Sequence, residues 1–267
     1  MWEAIGLGII QGITEFLPVS SSGHLILVPR IFGWQEPGLA FDAMIHLSTA
    51  LAVVIALRRE IWTLIIGLGK PQNKEQGRQS WRLAGAIILA SLPVAIAGIW
   101  GEKFIEENLR STIIVAGALI IGAIVLYLAD RRACKAETVT KQLTEISYKQ
   151  ALVVGLAQVC ALVPGISRSA ATIAGGLGVK LNREVAVKFS FLAGLPAVVG
   201  AGLWGLLGSL KSVGGGEEII ALAAGFLAAL AVGILSIRLL LFLVRKTNFN
   251  VFVVYRIVLG IVLLLFF

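Results

Sequence analysis

The chain has 267 residues, 58% of them hydrophobic and only 14% charged, with a formal net charge of +8. A soluble domain carries about 25% charged residues, so this composition excludes an ordinary soluble enzyme. The positive balance does not point to nucleic acid either, because the basic residues sit in short loops between long apolar runs, where the orientation bias of membrane proteins places them.

Residues 1–32 are apolar but broken in the middle by Glu15-Phe-Leu-Pro-Val-Ser-Ser-Ser-Gly-His24. No cleavable leader is expected here: the chain starts Met-Trp-Glu without a basic stretch, and the first apolar run meets Glu15 instead of a small-residue cleavage site. Six later segments are long enough to span a bilayer core, which takes about 20 apolar residues. They are 39–57 (or, as an alternative, on to 68), 83–100, 112–129, 189–207, 219–244 and 251–267. Between the third and fourth of them, residues 150–179 form a second broken apolar segment, interrupted at Val163-Pro-Gly-Ile-Ser-Arg-Ser169. In both breaks a helix-stopping Pro or Gly precedes Ser, a good N-cap for a new helix. Arms of about 10–16 residues reach roughly 15–24 Å, to mid-membrane and back. Both segments are therefore expected to be re-entrant hairpins, with their broken backbone facing protein or a water-filled cavity. Asp42 is expected to be the N-cap of the first span.

The loop charges give an orientation. Segments 70–82, 130–149, 180–188 and the pair Arg245-Lys246 are basic and belong in the cytoplasm, while 102–110 and 209–218 are net acidic and belong outside. Six alternating spans satisfy all of these, with the N-terminus, the first hairpin and the C-terminus outside. The halves also resemble each other. Gly8-Ile-Ile-Gln11 matches Gly155-Leu-Ala-Gln158, and at the same offset of 147 residues Ser20 and Ser22 fall on Ser167 and Ser169. The expected fold is one all-α polytopic membrane domain over residues 1–267. Six transmembrane helices and two re-entrant hairpins form an inverted-topology repeat, half one about 1–130 and half two about 150–267, with the site where the halves meet.

Glu15, His24 and Arg168 are ionisable groups in apolar segments, which in a membrane suggest function. The plainer reading is that Glu15 and Arg168 only pair to hold the hairpins together, but that leaves the serines and the histidine around them unexplained. Ser20, Ser21, Ser22, Ser167 and Ser169 cap helices, and two helix N-termini facing one cavity offer free N–H groups and positive dipole ends that suit phosphate. Arg168 adds a fork that binds phosphate oxygens bidentately. This density of donors fits a diphosphate. His24 lies one helical turn after Ser21, as a general base for it or as a nucleophile itself. Glu15 is a candidate to orient His24 or, with Gln11 one turn before it, to hold a divalent cation. Among the lower-ranked polar residues, His46 is expected to pack between helices, Glu184 to be an interfacial charge near a helix start, and Gln158 to be the second-hairpin counterpart of Gln11. Cys134 and Cys160 are too few and too badly spaced for a metal site or a disulfide framework.

The stretches Gln11-Gly-Ile-Thr-Glu-Phe-Leu-Pro-Val-Ser-Ser-Ser-Gly-His24 and Pro164-Gly-Ile-Ser-Arg-Ser-Ala-Ala-Thr172 closely resemble the two signature motifs of the undecaprenyl-diphosphate phosphatase family, the bacitracin-resistance type. The resemblance covers the whole chain. It implies hydrolysis of undecaprenyl diphosphate to the monophosphate, recycling the carrier lipid of cell-wall synthesis, at a site facing the outside of the bacterial cytoplasmic membrane. It also implies dependence on Mg²⁺ or Ca²⁺. The family's site residues carry over to Glu15, Ser21, His24 and Arg168; many members have glutamate where this chain has Gln11. The lipid bilayer is the expected partner, with nucleic acid excluded and a homodimer left open. From another class of function, the inverted repeat suits a transporter or flippase of phosphate-bearing lipids, whereas the Ser21/His24 pair beside Glu15 suits the enzyme. Ser21 as nucleophile with His24 as base, and His24 as nucleophile, both fit the spacing.

Overall fold

The computed structural model describes residues 1–34, 38–135, 142–209 and 214–266. Among the described residues the chain is all helical: α1 Trp2–Thr14, α2 Ser21–Phe32, α3 Leu39–Ala56, α4 Arg58–Gly69, α5 Lys74–Asn108, α6 Thr112–Lys135, α7 Tyr148–Cys160, α8 Arg168–Gly178, α9 Arg183–Ser209, α10 Gly216–Lys246 and α11 Asn250–Phe266, with a short 3₁₀ turn at Leu143–Glu145. Five of them, α3, α5, α6, α9 and α10, are long and apolar enough to cross a membrane. α11 is apolar but has 17 residues, about 25 Å at 1.5 Å per residue. Phe267, the expected end of that span, lies outside the described residues, as does the middle of the charged loop 130–149.

One boundary, at Asp42, differs from the sequence expectation. The first span ends at Leu57, as its expected bounds 39–57 have it, with a φ of −101° and ψ of 25° leaving the helical region there; the alternative continuation to 68 is not part of the same helix. The run Arg58-Arg59-Glu60 explains the stop, because three ionisable side chains in a row are expensive in hydrocarbon. α4 is a separate helix with Trp62 and Ile65 exposed. Asp42 does not cap α3; Gly38 does, and Asp42 sits in the first turn with its N–H donating to the Gly38 carbonyl at 3.1 Å.

Each broken segment packs on a long helix from the other half of the chain: α1 lies along α10, and α7 along α5. Glycine permits both approaches. A Cβ on Gly12 would lie 2.8 Å from the Ala229 carbonyl oxygen of α10, and one on Gly155 would lie 2.7 Å from that of Ala90 in α5. Without a hydrophobic drive between helices in lipid, such close backbone packing is a main source of association. α3 packs against both α9 and α10, and α6 against α8 and α11.

The outward surface is that of a membrane protein. Trp81 and Trp100 of α5 are 65% and 85% exposed. They stand 19 residues apart, about 28 Å along a helix, close to the roughly 30 Å of a hydrocarbon core with tryptophan at each interface. The four basic segments come together at one end of the bundle. Arg82 donates to the carbonyls of Glu145 and Ile146, Arg183 pairs with Asp130 at 2.6 Å, and Asp130 accepts from the Phe249 N–H. Glu184, in the first turn of α9, pairs with Lys188 and Arg245, and Lys188 also pairs with Glu60.

Candidate functional site

The two breaks fold alike. Ser20 caps α2 at φ 77°, its hydroxyl accepting from the Gly23 N–H at 3.4 Å; Ser167 caps α8 at φ 69°, accepting from the Ala170 N–H at 3.3 Å. Positive φ is costly for a residue with a Cβ and concentrates at functional sites. Among the described residues only one other non-glycine residue, Lys180, shares it. Ser20 and Ser22 are linked hydroxyl to hydroxyl at 3.3 Å, as Ser167 and Ser169 are at 3.2 Å. The turns also bind each other, the Gly165 N–H donating to Ser22 Oγ and Ser169 Oγ donating to the Leu17 carbonyl, each at 3.3 Å. Two helix N-termini are thereby fixed side by side, and the first-turn N–H groups of Ser21, Ser22, Arg168 and Ser169 have no acceptor within their own helices.

Glu15 is the centre of the side-chain network. It is 7% exposed and follows directly on α1. Oε1 accepts from Arg168 Nη2 at 2.7 Å, and Oε2 accepts from Ser21 Oγ at 2.8 Å and from Gln11 Nε2 at 3.1 Å. The ion pair of the plainer reading is thus present, and Ser21 shares its carboxylate. The guanidinium of Arg168 lies over Gly194 of α9, where a Cβ would collide with it. Beside Arg168 a small, half-open pocket lies between α3 and α9, with room for about one water and a mostly apolar lining that includes Phe16, Ala50, Phe191 and Leu195 beside Thr49.

His24 is placed apart from this network. Its Nδ1 is 2.7 Å from the Ser20 carbonyl and its Nε2 is 2.6 Å from Tyr255 Oη, with the two rings parallel. A carbonyl only accepts, so Nδ1 carries the proton, and in the neutral ring Nε2 takes the tyrosine hydroxyl's hydrogen. The partners differ from those the spacing suggested: Glu15 bonds Ser21 and not His24, and the group hydrogen-bonded to the Ser21 hydroxyl is a carboxylate and not an imidazole. The reason is local: the His24 side chain turns back on the carbonyl four residues earlier, while Ser21 reaches over the break to the end of α1. His46 bonds the Asp42 carbonyl at 2.7 Å within α3. Gln158 is fully buried like Gln11, with its amide donating to the Ala90 carbonyl.

For a divalent cation, Glu15 and Gln11 supply hard oxygens. Gln11 Oε1 is buried with no hydrogen-bond partner, an acceptor still free for a cation. No cluster of three or more His, Cys, Asp or Glu side chains occurs among the described residues. The donor set suits Mg²⁺, which uses one or two protein ligands and completes its shell with water and substrate phosphate.

Sequence reasoning passed over Tyr255 and Arg256 of α11, and Gly194. Arg256 is 0% exposed and donates to the carbonyls of Gly165 and Ile166 in the second turn. The signal was present, since an arginine inside the apolar run 251–267 is as anomalous as Glu15 in its own.

Helical architecture, apolar surface and a polar pair of interlocked turns define a polytopic membrane protein with two helix N-termini and an ion pair at a buried centre. The chain belongs to the family described as bacitracin resistance protein BacA, whose model matches residues 4–262. Proteins named undecaprenyl-diphosphatase are similar over nearly the full length. That of Myxococcus xanthus is 40% identical, covering 98% of this chain and 87% of its own. That of Chlorobium phaeovibrioides is 40% identical, covering 99% and 96%. That of Corynebacterium glutamicum is 40% identical, covering 98% and 89%.

Proposed function

We propose that this chain is an undecaprenyl-diphosphatase, hydrolysing the polyprenyl diphosphate to the monophosphate and phosphate. The observation that carries the chemistry is the chain of contacts Ser21–Glu15–Arg168, at 2.8 and 2.7 Å, set at two adjoining helix N-termini. Ser21 Oγ attacks the terminal phosphorus in line and its proton passes to Glu15. The bond to the bridging oxygen breaks and the lipid monophosphate leaves. Water then hydrolyses the phosphoserine, releasing phosphate and restoring the hydroxyl. Arg168 and the first-turn amides of α2 and α8 stabilise charge on the transferring group, which in phosphoryl transfer is most of the catalytic work. His24, through Nδ1–H, fixes the Ser20 carbonyl and with it the strained turn that presents Ser21. Glu15 and Gln11 Oε1 are the residues that would hold a divalent cation, which when bound neutralises phosphate charge.

The chain is one membrane domain of two inverted halves, about 1–130 and 150–267, with two re-entrant hairpins and α11 as the sixth span. The crossed packing of α1 on α10 and α7 on α5 supports this plan. The end where the four basic segments meet is cytoplasmic in this reading, so the first hairpin opens outside, in the bacterial cytoplasmic membrane. The same crossed packing favours a second reading, a flippase of phosphate-bearing lipids. Phosphate release by detergent-solubilised protein from undecaprenyl diphosphate separates the two, because hydrolysis needs no sealed membrane. Wild-type release that disappears in Ser21→Ala is expected; no release from well-folded protein rejects the enzyme.

A further inference from the structure

Arg256 stands outside the network around Glu15. Among the described residues it is the largest of the fully buried side chains, on a helix whose other residues around it, Tyr255 apart, are apolar. Among the described residues no carboxylate pairs with it, and its Nε and Nη1 are buried without any hydrogen-bond partner. Only Nη2 is engaged, donating to the Gly165 carbonyl at 3.1 Å and the Ile166 carbonyl at 2.8 Å. A buried cation without a counter-ion is strongly unfavourable in a membrane protein and marks function by default. α6 makes room for it: a Cβ on Gly122 would collide with the Arg256 guanidinium and lie 3.0 Å from the Ile166 oxygen.

The two carbonyls belong to the turn that ends at Ser167. Peptide bonds here are trans, so drawing the Ile166 carbonyl towards Arg256 turns the Ser167 N–H the opposite way. That N–H has no acceptor among the described residues and adjoins the open first turn of α8. The residue before Arg256, Tyr255, holds His24 of the other turn, so two adjacent side chains of α11 brace both halves of the site.

We propose that Arg256 is a positioning residue for the reaction. It aims the backbone N–H of Ser167, and with it the N-terminal turn of α8, at the substrate's diphosphate, and its unneutralised charge adds to the anion-attracting field there. This rests on the phosphatase reading, and wild-type turnover is the control for that reading. The test of Arg256 also has an arm without catalysis, protection of the detergent-solubilised protein against thermal unfolding by methylenediphosphonate.

Arg256→Lys keeps the charge and one donor, Arg256→Gln a donor without charge, and Gly122→Ala displaces the guanidinium without touching α11. The expected result is kcat down about 100-fold in Arg256→Gln, the order of losing one oriented backbone donor, with diphosphonate protection weakened in parallel and KM changed less than kcat. Arg256→Lys should recover at least tenfold of that loss, and Gly122→Ala should lose about tenfold with its unliganded melting temperature nearly unchanged. Wild-type kcat and protection in folded Arg256→Gln would overturn the proposal, as would an Arg256→Lys variant no better than Arg256→Gln. If Arg256→Gln does not fold, Gly122→Ala decides: unimpaired turnover and protection there reject the role.

Discussion

Ser21 Oγ donates to Glu15 Oε2 at 2.8 Å, joining the first residue of α2 to the residue that follows α1. A hydroxyl already hydrogen-bonded to a carboxylate has its proton acceptor in place before substrate arrives. Glu15→Gln removes the acceptor and the partner of Arg168 together, and turnover should fall by about 10³-fold, within the range for loss of a general base. Glu15→Asp withdraws the carboxylate by one methylene and should cost nearly as much. Steady-state phosphate release measures both, and activity near wild type in Glu15→Gln would remove the proposed base.

Arg168→Lys keeps a charge but cannot hold Glu15 and a phosphate oxygen with one planar fork. A loss of about 10²-fold in kcat is expected, the order found for removing one transition-state donor. Near-normal turnover would make Arg168 a structural counter-ion.

Gly194 contributes by its lack of a side chain. In Gly194→Ala the new methyl meets the Arg168 guanidinium and should push it off Glu15, lowering kcat/KM by about tenfold or more, as small misplacements of catalytic groups do. Gly200, on the same helix with open space beside it, is the control, and Gly200→Ala should leave kcat/KM unchanged. Equal rates in the two variants would count against the contact.

Gln11 Oε1 is the free acceptor next to Glu15. If the pair holds a divalent cation, Gln11→Glu should lower the Mg²⁺ concentration giving half-maximal turnover, since an anionic oxygen is the stronger ligand, and Gln11→Ala should raise it. Titration after chelation measures this. A half-maximal concentration the same in all three proteins would place the cation on the substrate alone.

Much of this site is legible in the sequence because its signals are local. Pro18, Pro164 and Gly165 stop helices, the serines after them restart helices, and an offset of 147 residues pairs Ser20 with Ser167 and Ser22 with Ser169; both capping serines do occupy the same unusual backbone conformation. The pairing of Ser21 with Glu15 is not legible. Spacing along a helix put His24 one turn from Ser21, and only the path of the chain through the break decides which of the two the hydroxyl faces. Tyr255, Arg256 and Gly194 reach the site from helices distant in sequence, so their roles depend on packing that no single segment encodes. The end of the first span at Leu57 is legible in Arg58-Arg59-Glu60, a charged run that the apolar residues beyond it do not outweigh.

In the proposed reaction Ser21 is the nucleophile and Glu15 its proton acceptor. Acid-quenching the protein during turnover of undecaprenyl diphosphate labelled in its terminal phosphate tests it most directly. An acid-stable, base-labile phosphoserine mapping to Ser21 is expected, absent from Ser21→Ala and accumulating more slowly in Glu15→Gln. An acid-labile, base-stable phosphohistidine at His24, or label that persists in Ser21→Ala, would contradict it.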